Sequence, residues 1–301
     1  MKHYRLNNVY VSPSGYISKN GILIKKFLNK IHKQPGILMY IHLFASWCKK
    51  IIFNKTQFID EDTYLFFDNL SSNYYHWFTE SLPRLFAANG KIENRTCILP
   101  HNLNDFQERS LSYLDLSKKS FIHENNLLKV KNMVFLPYVG TADEHNAEII
   151  ESIKNFYISK IVNSNIKPFR LLFLSREKAG YRKILNEKAI RQIMETHKFE
   201  VICAEDYSFE EQVNIFRGVE VLISPHGAGL TNMIFMNAHT TVVELLHPNY
   251  LNFCYRNLAV AKNITHHHIV GNSDESIVWN WNGDFRIEGE KIKNLLKIIT
   301  L

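Results

Sequence analysis

Four cysteines occur in 301 residues, and Cys48, Cys97, Cys203 and Cys254 lie far apart with no C-x-x-C pair. There is no disulfide framework to read, and the spacing points to free thiols in a reducing compartment. No stretch approaches the length of a membrane span. The opening MKHYRLNNVYVSPSG has no apolar core of a signal peptide, so a cytoplasmic location is expected. Lysines are dispersed without a run of five, which argues against a nucleic-acid-binding arm. Internal repeats and low-complexity segments are also missing. What is present is an ordinary globular composition, 46% hydrophobic and 22% charged, with a net charge of +7 that favours an anionic partner.

The second half is the more legible. Apolar runs RLLFLS, EVIC, EVLIS, TVVELL and HHHIV alternate with helix-like NEKAIRQIMETH, SFEEQVNIFRG, GLTNMIFM and YLNFCYRNLAVA. Ser208 and Glu211 make a capping box and Asn186 a candidate cap. Alternation of this kind implies βαβ units on a parallel sheet. The first half is less regular: hairpin-like NVYVSPSGYIS and GILIKKF, strands at TYLFFD, TCILP and VKNMVFLP, and helices at NYYHWFTESLPRLFAA and NDFQERSLSYL. The expected fold class is α/β, two Rossmann-like domains facing a cleft. The expected boundary divides 1–165 from 166–301, with the last helix packing back on the first domain.

Ligands of open parallel sheets sit beyond the carboxyl ends of the strands, often at helix N-termini. His226, Gly227, Ala228 and Gly229 occupy such a place after EVLIS. Glycines there let backbone approach a diphosphate, and His226 can donate to a phosphate oxygen; a glycine turn beside a packed histidine is the plainer reading. Arg176 ends the strand RLLFLS, and Arg182 follows in the loop EKAGYRK. Two such cations can neutralise a diphosphate, or else lie on the surface. Glu244 is a carboxylate inside an apolar run, so it either meets ribose hydroxyls or sits in a salt bridge. In the first half His76, Glu80 and Arg84 are spaced i, i+4, i+8 along one helical face, provided the helix survives Pro83. A histidine one turn from a carboxylate is a candidate acid/base pair, or a solvated ion pair.

Metal signals are weaker. Asp60–Asp62 reads D-E-D in what looks like a polar turn, and His266 to His268 place two imidazoles on one strand face without further ligands at zinc spacing. Trp279 to Asp284, WNWNGD, is either a sugar-stacking or a packing element. A nicotinamide-cofactor reading is disfavoured, since HGAG lacks the G-x-G-x-x-G spacing and follows a third strand.

Taken in order, NYYHWFTESLPRL, LSREKAGYRKILNE, FEEQVNIFRG, ISPHGAGLTNMIF and VVEL resemble glycosyltransferase family 61 over about residues 68–246. The resemblance implies a GT-B-like fold and an inverting, metal-independent transfer from a nucleotide sugar. It implies a C-terminal donor domain whose motifs Arg176, Arg182, His226, Gly227, Ala228, Gly229, Asn232 and Glu244 match. Asn73, His76, Glu80 and Arg84 match the cleft-facing N-terminal motif, with Glu80 the first choice of base and His76 the second. The expected partners are a nucleotide-sugar donor, with UDP the favoured nucleotide, and an oligosaccharide or lipid-linked glycan acceptor of bacterial surface polysaccharide synthesis. No cofactor or nucleic acid is expected, and contact with the inner membrane face is compatible with the charge. The alternative is a catalytically inactive nucleotide-sugar or glycan-binding protein on the same scaffold.

Overall fold

The structure is a computed structural model that describes residues 4–20, 22–24, 55–88, 92–116, 118–140, 143–162, 166–273 and 282–299. Two compact units emerge, Met1–Val139 and Gly140–Leu301.

In the first unit β1 (Tyr4–Val11), β2 (Ile17–Lys19) and β3 (Ile22–Leu23) form an antiparallel meander. Its first turn is the expected hairpin. Gly15 holds φ 71° there, and a Cβ would fall 2.7 Å from the Phe67 carbonyl oxygen, so only glycine fits. The strands β4 (Lys55–Leu65), β5 (Thr96–Pro100), β6 (Lys118–Ile122) and β7 (Asn126–Phe135) pair in parallel. Antiparallel pairing of β1 with β7 joins both sets into a seven-stranded sheet, ordered β3-β2-β1-β7-β4-β5-β6. The sheet is therefore mixed, which a Rossmann-like expectation did not include. Val9, Val11, Ile59, Leu65, Val130 and Phe135 share one core cluster.

The helix bearing NYYHWFTESLPRLFAA, α1, has three parts: Tyr74–His76, a π-helical turn Trp77–Ser81, and Leu82–Ala88. Pro83 has no N–H to donate and its ring crowds the preceding turn. The π turn accommodates it by widening, with the Leu82 N–H donating to the Trp77 carbonyl five residues back. Asn73 caps the start by accepting from the Tyr75 N–H at 2.9 Å. Below it α2 (Asp105–Ser112) locks the helix in place, its Ser110 hydroxyl accepting from the Trp77 indole at 2.9 Å.

The second unit starts with α3 (Ala147–Ile161), whose buried Ile150, Ile153, Lys154 and Tyr157 fall at i, i+3, i+4 and i+7. This helix moves the boundary from 165/166 to 139/140. Its polar surface reads as a linker, yet Lys154 Nζ donates to Asn237 Oδ1 at 3.1 Å and Tyr157 stacks edge-on against Phe209 with centroids 5.1 Å apart. Then follow β8 (Arg170–Ser175), α4 (Glu187–Thr196), β9 (Glu200–Cys203), α5 (Phe209–Phe216), β10 (Val219–Pro225), β11 (Thr241–Leu246), α6 (Cys254–Ala261), β12 (Thr265–Val270) and α7 (Gly289–Ile299). The segment expected as an α-helix after β10 winds instead as a 3-10 helix, Ala228–Phe235, with Leu230, Met233, Ile234 and Phe235 wholly buried. All five strands are parallel, ordered β12-β11-β10-β8-β9. Counted within the unit this is the doubly wound order 2-1-3-4-5. The capping box of Ser208 and Glu211 forms as expected. The Asn186 side chain does not cap its helix; it exchanges hydrogen bonds with the Ile287 backbone. The last helix, α7, buries Ile292 and Leu296 beside Ile190 and Met194 of α4 and closes the second unit's own core.

Glu151 on α3 bridges two buried lysines, lying 3.2 Å from Lys154 Nζ and ion-paired to Lys262 at the end of α6. Burial, only partly offset by Glu151, pushes the Lys262 ammonium down to about 8. Between that value and the ordinary 10.5 the unfolded chain holds the proton and the folded chain has released it. Stability therefore rises with pH across this window. Lys262→Met removes the group, so urea unfolding should shift the difference towards the wild type by about 1–2 kcal/mol between pH ~7 and pH ~9.5.

Candidate functional site

In a sheet of order 2-1-3-4-5 the crossovers leave β8 and β10 towards opposite sides, which opens a crevice beyond their carboxyl ends. Arg176 follows β8 directly, and His226 with Gly227 follows β10 directly. The two strands are hydrogen-bonded neighbours, so residues 50 apart in the chain meet at the switch point. Ser224 Oγ donates to the Leu174 carbonyl at 3.1 Å and holds the two strand ends together.

Two guanidinium groups gather there. Arg176 Nη2 donates to the Tyr181 carbonyl at 3.2 Å, and its Cζ stands 5.7 Å from the Tyr181 ring centroid. Arg182 lies between two aromatic faces, 4.9 Å from Tyr181 and 4.8 Å from Tyr250. Its backbone holds φ 58°, a left-handed conformation that costs a residue with a Cβ about 1–2 kcal/mol. Arg176 Nε and Arg182 Nε and Nη1 are buried without a hydrogen-bond partner. Burial, and then the nearby Arg182 charge, pull the Arg176 guanidinium below its ordinary value. Burial and then Arg182 likewise depress His247 at the end of β11. Unsatisfied N–H donors on two like charges are a cost unless an anion completes them. The loop carrying them is pinned by a polar cluster: Arg191 pairs with Glu177 at 2.8 Å and Glu187 at 3.0 Å, and the Ser175 hydroxyl donates to Glu187.

Gly227 has a use the sequence did not reveal. Its backbone is extended, but a Cβ would fall 1.7 Å from Arg176 Nη1. The missing side chain is the seat of the Arg176 guanidinium. Gly227→Ala should displace the guanidinium while sparing the fold, weakening any pyrophosphate binding about tenfold in calorimetry with little change in Tm. At Gly229 a Cβ would crowd the Leu174 side chain at 2.8 Å and touch Ala204 Cβ at 3.9 Å. Ala228 is half-buried in the first turn of the 3-10 helix.

His226 is 5% exposed and its imidazole packs edge-on against Tyr250 and Tyr255, with centroids 5.1 and 5.0 Å away. Its Nδ1 is hydrogen-bonded to Glu244 Oε1. Glu244 is 0% exposed, and His266 Nε2 lies 3.0 Å from its other oxygen. Burial alone would raise the Glu244 carboxyl, but His226 and then His266 outweigh it and hold it below its ordinary value. Both Glu244 oxygens are thus engaged by imidazole nitrogens below the surface. Asn232 is also withdrawn, fully buried and donating to Gln212 Oε1 at 2.8 Å on α5.

In the first unit His76 Nδ1 stands 3.0 Å from Glu80 Oε2, without full hydrogen-bond geometry. Glu80 is 8% exposed. Arg84, expected on the same accessible face, is 0% exposed. Its Nε donates to the Leu136 carbonyl at 2.6 Å, and its Cζ is sandwiched 4.6 Å from both Phe135 and Tyr138. The π turn rotates it inward, so it braces the Tyr138–Asp68 hydrogen bond rather than lining an open surface. Burial is the main cause that lowers its guanidinium.

The metal signals do not gather ligands. Asp60, Glu61 and Asp62 lie within β4 rather than in a turn, interrupted by a bulge. Each already faces a cation: Lys131 at 2.6 Å, Lys118 at 3.7 Å and Arg95 at 2.6 Å. His266 and His268 share a strand face, with rings 6.4 Å apart, as alternation predicts. Their neighbour is Glu244, and among the described residues no group of three or more His, Cys, Asp or Glu is placed to hold a metal. Trp279 and Trp281 lie outside the described residues; Asp284 accepts from the Lys183 N–H at 2.8 Å. Cys97 and Cys203 are free thiols and buried, Cys254 is buried, and Cys48 lies outside the described residues. Among the described residues no helix is long and apolar enough to cross a membrane. Sequence reasoning missed Tyr181 and Tyr250, although both lie in the loops that carry the arginines and follow β11.

Geometry alone defines an α/β protein with two arginines, carrying buried N–H groups without acceptors, at the switch point of a parallel sheet. The chain matches the model of the family Glycosyltransferase 61 over residues 74–243, more than half of its length, and belongs to that family. It is similar to the EGF domain-specific O-linked N-acetylglucosamine transferase of Drosophila melanogaster, with 36% identity over 93 residues. That match takes in 30% of this chain and 18% of the relative.

Proposed function

We propose that this protein is an inverting glycosyltransferase that moves a sugar from a nucleotide diphosphate donor, UDP being favoured, to a hydroxyl of a glycan acceptor. The observation that carries the reading is the pair Arg176 and Arg182, whose buried N–H groups lack acceptors beside His226 at the switch point. In the proposed reaction an acceptor oxygen attacks the anomeric carbon as the bond to the diphosphate breaks. Glu80 takes the hydroxyl proton, with His76 one turn before it orienting the carboxylate or acting in its place. Charge gathering on the leaving diphosphate is met by Arg176, Arg182 and His226, the work a divalent metal does in other transferases. We propose a GT-B arrangement, with Gly140–Leu301 binding the donor and Met1–Val139 the acceptor. Synthesis of a bacterial surface polysaccharide from the cytoplasmic face of the inner membrane, on an oligosaccharide or lipid-linked acceptor, suits the net charge of +7.

The test is a thermal-shift and calorimetric series with UDP, GDP, CDP and their sugars in EDTA. One diphosphate should raise the apparent Tm by mass action, and its sugar should be hydrolysed slowly without acceptor. Binding without any hydrolysis or transfer would make the protein a nucleotide-sugar-binding module. Binding strictly dependent on manganese would overturn the role given to the arginines.

A further inference from the structure

We propose that His266 is a positioning residue for His226, acting through Glu244 to set both the tautomer of His226 and the pH range over which it is cationic. The inference deepens the donor-site reading above, but its main test does not depend on nucleotide binding.

The three side chains come from three neighbouring parallel strands. His226 follows β10, Glu244 lies in β11 and His266 in β12, the outermost strand. The register pairs Val242 with His266 and Glu244 with His268. His266 therefore reaches Glu244 diagonally along one face of the sheet, at 3.0 Å from Oε2, while His226 takes Oε1. The carboxylate is 0% exposed and both imidazoles are 6% exposed. No water competes for these bonds, so each carboxylate oxygen fixes the nitrogen that faces it as an N–H donor. Neutral His226 must then carry its proton on Nδ1, which leaves Nε2 for the ligand. Neutral His266 must carry its proton on Nε2.

A buried carboxylate facing one histidine would hold that imidazole as a near-permanent cation. Division of the same charge between two donors weakens its pull on each. The other groups facing His226 are the phenols of Tyr250 and Tyr255 and, beside Gly227, the Arg176 guanidinium. Those facing His266 are Glu244 and the His268 ring, 6.4 Å away. Among these Glu244 is the only carboxylate, so His266 controls how much negative charge His226 feels. The consequence is that loss of His266 strengthens the pull of Glu244 on His226 at the site proposed for the diphosphate.

The direct test is long-range proton–nitrogen NMR of the histidine rings in the intact chain as a function of pH, with His226 and His266 assigned by their loss in H226N and H266Q. In the wild type, neutral His226 should show a protonated Nδ1 and neutral His266 a protonated Nε2. A bare Nε2 on neutral His266 would overturn the proposal. H266F should raise the His226 midpoint by about one pH unit, tenfold in proton affinity, because Glu244 then serves His226 alone. H266Q keeps an N–H donor and should restore the wild-type midpoint. If H266F lowers Tm yet leaves the His226 midpoint and tautomer unmoved, His266 is a packing residue only. If H266F does not fold, H266N, too short to reach Oε2, takes its place with the same expected rise. UDP-N-acetylglucosamine, whose diphosphate diester does not titrate in the neutral range, should keep its affinity to higher pH in H266F. Failure of that binding alongside a shifted His226 would count against the donor reading and leave the histidine coupling standing.

Discussion

Arg176→Ala is expected to lower kcat/KM for sugar transfer by about a hundred- to a thousand-fold, the cost of deleting one preorganised donor facing developing charge. The size follows from the surroundings. Arg176 is held by the Tyr181 carbonyl, by the space Gly227 leaves and by the Ser175–Glu187–Arg191 cluster behind its loop. Little ordering remains to be done when a diphosphate arrives, so its hydrogen bonds are realised almost in full. Arg182 cannot substitute, because its guanidinium is fixed between Tyr181 and Tyr250. Lysine at 176 keeps the charge but not the planar fork, and should recover only part of the loss. The control is Arg170→Ala, which breaks an exposed pair with Glu200 at 2.5 Å and should leave transfer within about twofold. Equal losses in both variants, measured by initial rates and nucleotide calorimetry, would reduce Arg176 to general electrostatics.

The second unit was legible because its signals are local. Apolar runs bounded by caps gave the five strands, and a residue directly after a strand lies at its carboxyl edge whatever the details, which located Arg176 and His226. The switch point itself was not legible, since strand order depends on which neighbours pair, and nothing local in RLLFLS or EVLIS states that they do. Gly227 was read as letting backbone approach a ligand, and the room it leaves for a guanidinium from another loop was not legible. Glu244 and His266 were each noticed, but as separate curiosities. Their partnership needs the lateral register of β11 and β12, which period-two alternation cannot supply.

In the first unit the burial of Arg84 has a local cause. The spacing i, i+4, i+8 assumes an unbroken α-helix, and the π turn at Trp77–Ser81 changes the rotation after Glu80. His76 and Glu80 keep their contact, while Arg84 is carried into the core. The acids of β4 were only a weak metal signal in the sequence, and the cations they face, on other strands, are out of view of a local pattern. Lys131, Lys118 and Arg95 come from β7, β6 and the segment before β5.

Glu80→Gln should reduce transfer by about a hundred- to ten-thousand-fold while leaving donor affinity unchanged, because the proposed base acts on the acceptor and not on the diphosphate. Glutamine keeps the volume and hydrogen-bonding reach of the side chain, so a loss in kcat without a fall in Tm reports the carboxylate itself. His76→Gln separates the two candidates. If His76 only orients Glu80, from 3.0 Å, the variant should lose about tenfold and keep the acid limb of the pH profile. If His76 is the base, it should lose as much as Glu80→Gln and change that limb. The π turn makes the comparison informative. It presents Glu80 about two turns after a fixed cap at Asn73, with Trp77 tied to Ser110 and Thr79 to the Tyr75 carbonyl. The backbone beneath both residues is therefore rigid in either variant, and a difference in rate between them measures chemistry rather than repacking.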